Sequence, residues 1–138
     1  MHYTENKQLN ALLNDPGAAC DLGVRLEELP MAWSLAGEID LSKSRYAVTE
    51  WTIWDVTDMD RWFGEERLKE LKPVMLWARE IVLADPNGKY TTTDHVRTSF
   101  LAELHRNCIF ETANSLYILT ETGGRRSMEL KEAVKWGL

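Results

Sequence analysis

The sequence predicts an α+β domain: a mostly antiparallel sheet of about five strands, packed by N-terminal, connecting and C-terminal helices. Three observations carry that expectation. Asp94–Thr120 alternates apolar and polar residues with period two and is broken by two turn signals, the signature of a β-meander. Arg45–Thr57 and Val74–Ala84 are long runs rich in β-branched and aromatic residues. Amphipathic helical stretches lie before, between and after these runs. At 138 residues the chain suits one domain that buries roughly two-thirds of its unfolded surface. Residues 1–44 form its helical part and 45–138 its sheet with further helices.

Asn6–Leu13 reads as a short helix with Leu9, Leu12 and Leu13 on one side, and Asn14-Asp15-Pro16-Gly17 ends it. The next helical stretch, Val24–Leu35, contains Pro30. A helix that begins with Pro30 in its first turn and stops at Gly37 is preferred over a kinked one. In Arg45–Thr57, Tyr46 and Val48 share a face with Trp54 and Val56, whereas Trp51 and Ile53 point the other way. A bulge near Glu50 or a strand covered on both faces would each explain the slip. Either way the strand is placed centrally, with helices on at least one side.

Asp58 or Asp60 is expected to cap a connecting helix that carries Trp62, Phe63, Leu68 and Leu71 and ends at Pro73. Val74–Ala84 is a second long strand, and Pro86-Asn87-Gly88 a turn. The meander follows. Its first strand places Val96, Thr98, Phe100, Ala102 and Leu104 on one face, and Arg106-Asn107 supplies a two-residue hairpin turn. Cys108–Thr112 and Leu116–Thr120 are its other strands. Gly123-Gly124-Arg125-Arg126 reads as a loop, and Ser127 opens a last helix over Met128–Trp136.

Composition is that of an ordinary globular protein, 44% hydrophobic and 28% charged. A net charge of −6 argues against direct nucleic-acid binding, which needs a basic field. Six tryptophans are many for this length, and such residues are enriched at binding surfaces. Cys20 and Cys108 make no C-x-x-C motif, so reduced thiols and a cytoplasmic setting are expected. No signal-peptide pattern opens the sequence and no run approaches 18 apolar residues, so no membrane span is expected.

The residues offer little catalytic chemistry, and the reading leans away from an enzyme and from any cofactor. No G-x-S-x-G elbow occurs. His105 and Cys108 flank a turn, but Cys108 is in phase with Phe110 and reads as a small buried hydrophobe. No metal site is expected. His95 and His105 would lie about 33 Å apart on an extended strand, and Asp55, Asp58 and Asp60 lack the glycine and distal glutamate of a calcium loop. Two sets of residues remain. Trp62 and Phe63, beside Asp58 and Asp60, could form an aromatic hot spot with an acidic rim, or could pack beneath the sheet. Arg125, Arg126 and Ser127, joined by Arg97 and in a wider version by Glu111, could hold an anion at a helix N-terminus.

Val96-Arg97-Thr98-Ser99, Phe110-Glu111-Thr112, Asn114-Ser115-Leu116-Tyr117-Ile118-Leu119 and Gly123-Gly124-Arg125 together resemble a family of small proteins from phages, prophages and their proteobacterial hosts. Its pattern is R-T-S, then E-T-x-N-S-x-Y-x-L and a glycine-rich tail. Trp51–Val56 and Pro73–Ala78 resemble the same family, and the likeness covers Tyr46 to Trp136. The family is a domain of unknown function, so the resemblance transfers no catalytic residue. It implies an accessory protein that binds, and could inhibit, a host protein in the host cytoplasm. An anion- or nucleotide-binding protein is the alternative, and a structural homo-oligomer a third expectation.

Overall fold

The computed structural model describes residues 17–61, 63, 64, 66 and 72–135. The expected helix at Asn6–Leu13 lies outside them, as does most of the connecting helix, of which a 3-10 turn, Met59–Arg61, is described. The α+β class holds, but strands dominate, and among the described residues one mixed sheet of eight strands replaces the expected five. The strands are β1 (Ala18–Cys20), β2 (Ser44–Val56), β3 (Val74–Ala84), β4 (Val96–Arg97), β5 (Glu103–His105), β6 (Ile109–Glu111), β7 (Ser115–Leu119) and β8 (Gly123–Met128). Among the described residues, the α-helices α1 (Leu29–Ile39) and α2 (Leu130–Lys135) accompany them.

Strand β2 is central. It pairs antiparallel with β3 along one edge. Along the other it pairs parallel with β7 over Ser44–Val48 and then with β8 over Thr52–Val56. The change of partner falls at Glu50, which takes φ +50°. The strand is covered on both faces, as one expectation had it; the bulge in its pairing with β3 falls between Ala47 and Val48 rather than at Glu50, where the register is unbroken and the backbone instead takes its positive φ. That backbone turn lets Tyr46, Val48, Trp51 and Ile53 share one cluster, while Trp54 and Val56 join another on the opposite side. The Trp51 indole N–H donates to Thr120 O at 2.9 Å, where β7 gives way to β8. Val24 closes the same seam from outside: its N–H donates to Leu119 O at 2.9 Å and its carbonyl accepts from Glu121 N–H at 2.7 Å.

The meander is present as β5, β6 and β7, but its first strand is broken. Thr98 N–H donates to Leu76 O and Leu101 N–H to Val74 O, both at 2.8 Å, whereas Ala102 N–H donates to Glu111 O at 2.7 Å. One segment thus leaves the β3 edge and joins the β6 edge. It bends between them, so two short strands replace one long one. The sheet is curled into a shell around Tyr46, Trp51, Ile53, Ile81, Phe110 and Leu119.

Helix α1 begins with Pro30 in its first turn, as expected, but it runs through Gly37 to Ile39. Ala32, Ala36 and Gly37 form its buried face. Arg45 lies against Gly37, donates to Trp33 O at 2.9 Å and covers the Trp33 ring at 4.8 Å. Gly123–Arg126 is a strand rather than a loop, because β8 is held between β1 and β2. Ser127 accordingly lies within β8 and does not open a helix. The N-terminus of α2 is capped instead by Asp58, whose Oδ1 accepts from Leu130 N–H at 2.7 Å.

Gly123 packs flat against the Trp51 indole, and a Cβ there would drive into the ring. Gly123→Ala should destabilise the domain by about 1–3 kcal/mol, the usual cost of overpacking a filled core. Urea unfolding followed by tryptophan fluorescence would show a lower midpoint with an unchanged slope.

Candidate functional site

At one end of the shell β2, the β6–β7 turn and the β3–β4 connection surround a polar hollow of about 410 Å³. Its floor is aromatic. Tyr46 stacks on Tyr117 with ring centroids 5.6 Å apart and meets Tyr90 edge-on at 5.4 Å. Tyr90 reaches this position because the Pro86-Asn87-Gly88 turn folds back over Tyr46, with Gly88 against the phenol oxygen. Tyr90 N–H then donates to Tyr46 Oη at 3.3 Å.

Hydroxyl and amide groups line the walls: Ser44 from β2, Thr98 and Ser99 after β4, and Thr112, Asn114 and Ser115 from the β6–β7 turn. Two of these are engaged in the backbone. Thr98 Oγ1 accepts from Leu76 N–H at 3.0 Å and donates to Ser99 O at 2.8 Å. Thr112 Oγ1 accepts from Asn114 N–H and Ser115 N–H at 3.3 and 3.2 Å. Ser99 and Asn114 are left to face the hollow.

Arg97 and Lys89 supply its charge. The Arg97 Nε is buried and has no hydrogen-bond partner among the described residues. Such an orphan is costly, since a buried donor without an acceptor forfeits its full hydration. No Asp, Glu or His is among the described lining residues. Asp94 belongs to an adjoining hollow of about 260 Å³, and its carboxylate accepts from Thr91 N–H at 2.9 Å. Burial pushes the Tyr117 phenol well above its ordinary value, against the opposing hydrogen bond of Ser115, and Tyr90 and Tyr46 add to the rise. At neutral pH Tyr117 is a protonated phenol.

The expected anion site is thereby divided. Arg97 lines the hollow, but β8 lies three strands away across β3 and β2. There Arg125 makes a two-pronged ion pair with Asp55 at 2.7 and 2.8 Å, which raises its own pKa further. Arg126 and Ser127 border a different depression with Glu129 and Glu132. Of the expected aromatic hot spot, Trp62 lies outside the described residues. Phe63 is half-buried and meets Phe100 edge-on at 6.0 Å. Asp58 caps α2, and Asp60 is exposed.

The meander also joins residues that the sequence reading had kept apart. Glu111 pairs with Lys43 at 2.6 Å and lies 2.7 Å from His105 Nε2, with Glu103 beside them. The two-residue turn is real, as Arg106 and Asn107 both have positive φ. Cys108, however, is left out of the ladder, and His105 pairs with Ile109. That shift of one residue turns Glu111 onto the face of His105. Cys108 is buried in the cluster under α1, and desolvation raises its thiol pKa. His95 stands elsewhere, 5.4 Å from the Trp77 ring.

Fold and site together define a small strand-rich α+β domain with a polar, cationic hollow at one end of a curled sheet. The chain belongs to the family described as a domain of unknown function (DUF6957), whose profile matches residues 22–135. No curated protein and no solved structure matches it. No helix among the described residues is long and apolar enough to cross a membrane.

Because Tyr117 keeps its proton in the folded chain above its ordinary value of 10, its contribution to stability is complete below pH 10 and falls as pH rises beyond it. Tyr117→Phe should flatten that alkaline loss. Urea midpoints measured between about pH 8 and pH 11 would show it.

Proposed function

We propose that this protein is a binding protein whose tyrosine-floored hollow takes a small ligand bearing a phosphate or similar oxyanion. One observation carries the reading. In a chain of net charge −6, the hollow gathers Arg97 and Lys89 with no described carboxylate among its lining residues. An oxyanion seated on the outer nitrogens of the Arg97 guanidinium would accept charge-assisted hydrogen bonds from it. Ser99 and Asn114 add neutral donors, and the half-buried Tyr90 ring offers an apolar surface to the remainder of the ligand. The volume lies within the range of small-molecule sites. Binding is favoured over catalysis because the described lining offers no imidazole, carboxylate or thiol to move a proton.

A second reading, an accessory protein that binds a host protein in a phage or prophage setting, draws on another observation. Leu26, Met31 and Leu41 are 52%, 71% and 91% exposed, and exposed apolar side chains of this size suit a protein contact.

Calorimetric titration with inorganic phosphate and ribose 5-phosphate at low salt tests the first reading. Binding should weaken as salt rises and fall at least tenfold, about 1.4 kcal/mol, in Arg97→Gln, while circular dichroism stays unchanged. Absence of binding by the wild type, or equal binding by a folded Arg97→Gln, would overturn it.

A further inference from the structure

The β5–β6 hairpin carries a second group of side chains that the hollow does not use. Glu103 and His105 are two residues apart on β5 and so share a face, and Glu111 lies directly across from Glu103 on β6. His105 Nε2 is 2.7 Å from Glu111 Oε1 and 3.8 Å from Glu103 Oε2. One ligand atom from each residue lies within 4.8 Å of the others. Ligand atoms about 2.0–2.2 Å from one tetrahedral ion lie roughly 3.3–3.6 Å from one another, so the His105–Glu111 pair opens by about half an ångström or more to admit the ion while Glu103 draws in. Glu103, whose side chain is 65% exposed, can supply that adjustment by rotating.

The surroundings have the form of a metal site. Lys43 holds the other Glu111 oxygen, Oε2, at 2.6 Å and also donates to Thr112 O at 2.9 Å. It thereby fixes the carboxylate and leaves Oε1 aimed at His105, the role of an outer group that orients a ligand. With the imidazole neutral, two carboxylates and one ammonium leave a single negative charge for a cation to meet. A hollow of about 360 Å³, bordered by Leu35, Glu38 and Ile39, opens beside Glu103 and His105 and gives an ion and its remaining waters access.

We propose that Glu103, His105 and Glu111 bind a divalent transition-metal ion of the Zn²⁺ type. An imidazole with two carboxylates favours such an ion over Mg²⁺ or Ca²⁺, which take oxygen alone. Three protein ligands leave at least one coordination position to water or to a ligand from solution.

Metal-free protein titrated calorimetrically with ZnCl₂ should take up one ion per chain, and Co²⁺ should give the visible absorption bands of a low-coordinate site. Glu103→Gln and His105→Gln should each weaken Zn²⁺ binding at least tenfold and lose the Co²⁺ bands. Glu103→Gln alters an exposed side chain and keeps the fold, so its result reads directly on the site. Absence of Zn²⁺ uptake, or uptake and Co²⁺ bands that survive in Glu103→Gln, would overturn the assignment.

Discussion

The structure depends on the change of partner at Glu50. Up to that residue β2 runs beside β7, and beyond it beside β8, while β3 stays paired on the opposite edge throughout. Without the positive φ at Glu50, the alternation of β2 would set Trp51 and Ile53 on the face away from Tyr46 and Val48. The seam this creates is closed by polar contacts that are fully satisfied. Trp51 Nε1 and the Thr120 hydroxyl each donate to a backbone carbonyl, at 2.9 and 2.8 Å. Gly123 lets the indole lie flat where β8 starts. Buried polar groups in such a place hold the chain to one arrangement only because each has its partner.

That constraint also sets the geometry of both sites. Curling the sheet about β2 brings the end of β4 near the β6–β7 turn, so that Arg97 and Ser99 face Asn114 and Ser115 across a tyrosine floor. The bend between β4 and β5 hands one segment from the edge of β3 to that of β6. The β5–β6 pairing then sets Glu103, His105 and Glu111 on a common face. The two clusters divide the chemistry of the molecule. One is cationic and hydroxyl-rich, the other a nitrogen and oxygen set with acid groups.

Much of the fold was legible in local pattern. Val74–Ala84 matches β3 residue for residue, because the β-branched and aromatic run is bounded by Pro73 and by a Pro-Asn-Gly turn. Pro30 marked the start of α1 for the same kind of local reason. What was not legible is long-range. Gly-Gly-Arg-Arg has the composition of a loop, and only pairing with β1 and β2 makes it a strand. Ser127 had the chemistry of a cap, but Asp58, 72 residues before Leu130, performs that role. The candidate site was half legible: Arg97 was singled out, yet its partners are set by curvature, which no periodicity reports. The Glu103–His105–Glu111 group was hidden by one residue of register, since placing Cys108 opposite His105 turns Glu111 to the wrong face.

The closure of the seam by Val24 has a consequence for how the chain is made. Residues near position 24 fill a gap whose walls, Leu119 and Glu121, lie almost a hundred positions later, and β2 waits on β7 and β8 for its second edge. A ribosome therefore releases most of this polypeptide before its central ribbon has a full set of neighbours. Slow, late consolidation is what such a wiring diagram implies, with the nascent product dependent on being kept apart from its own kind until the last strand emerges.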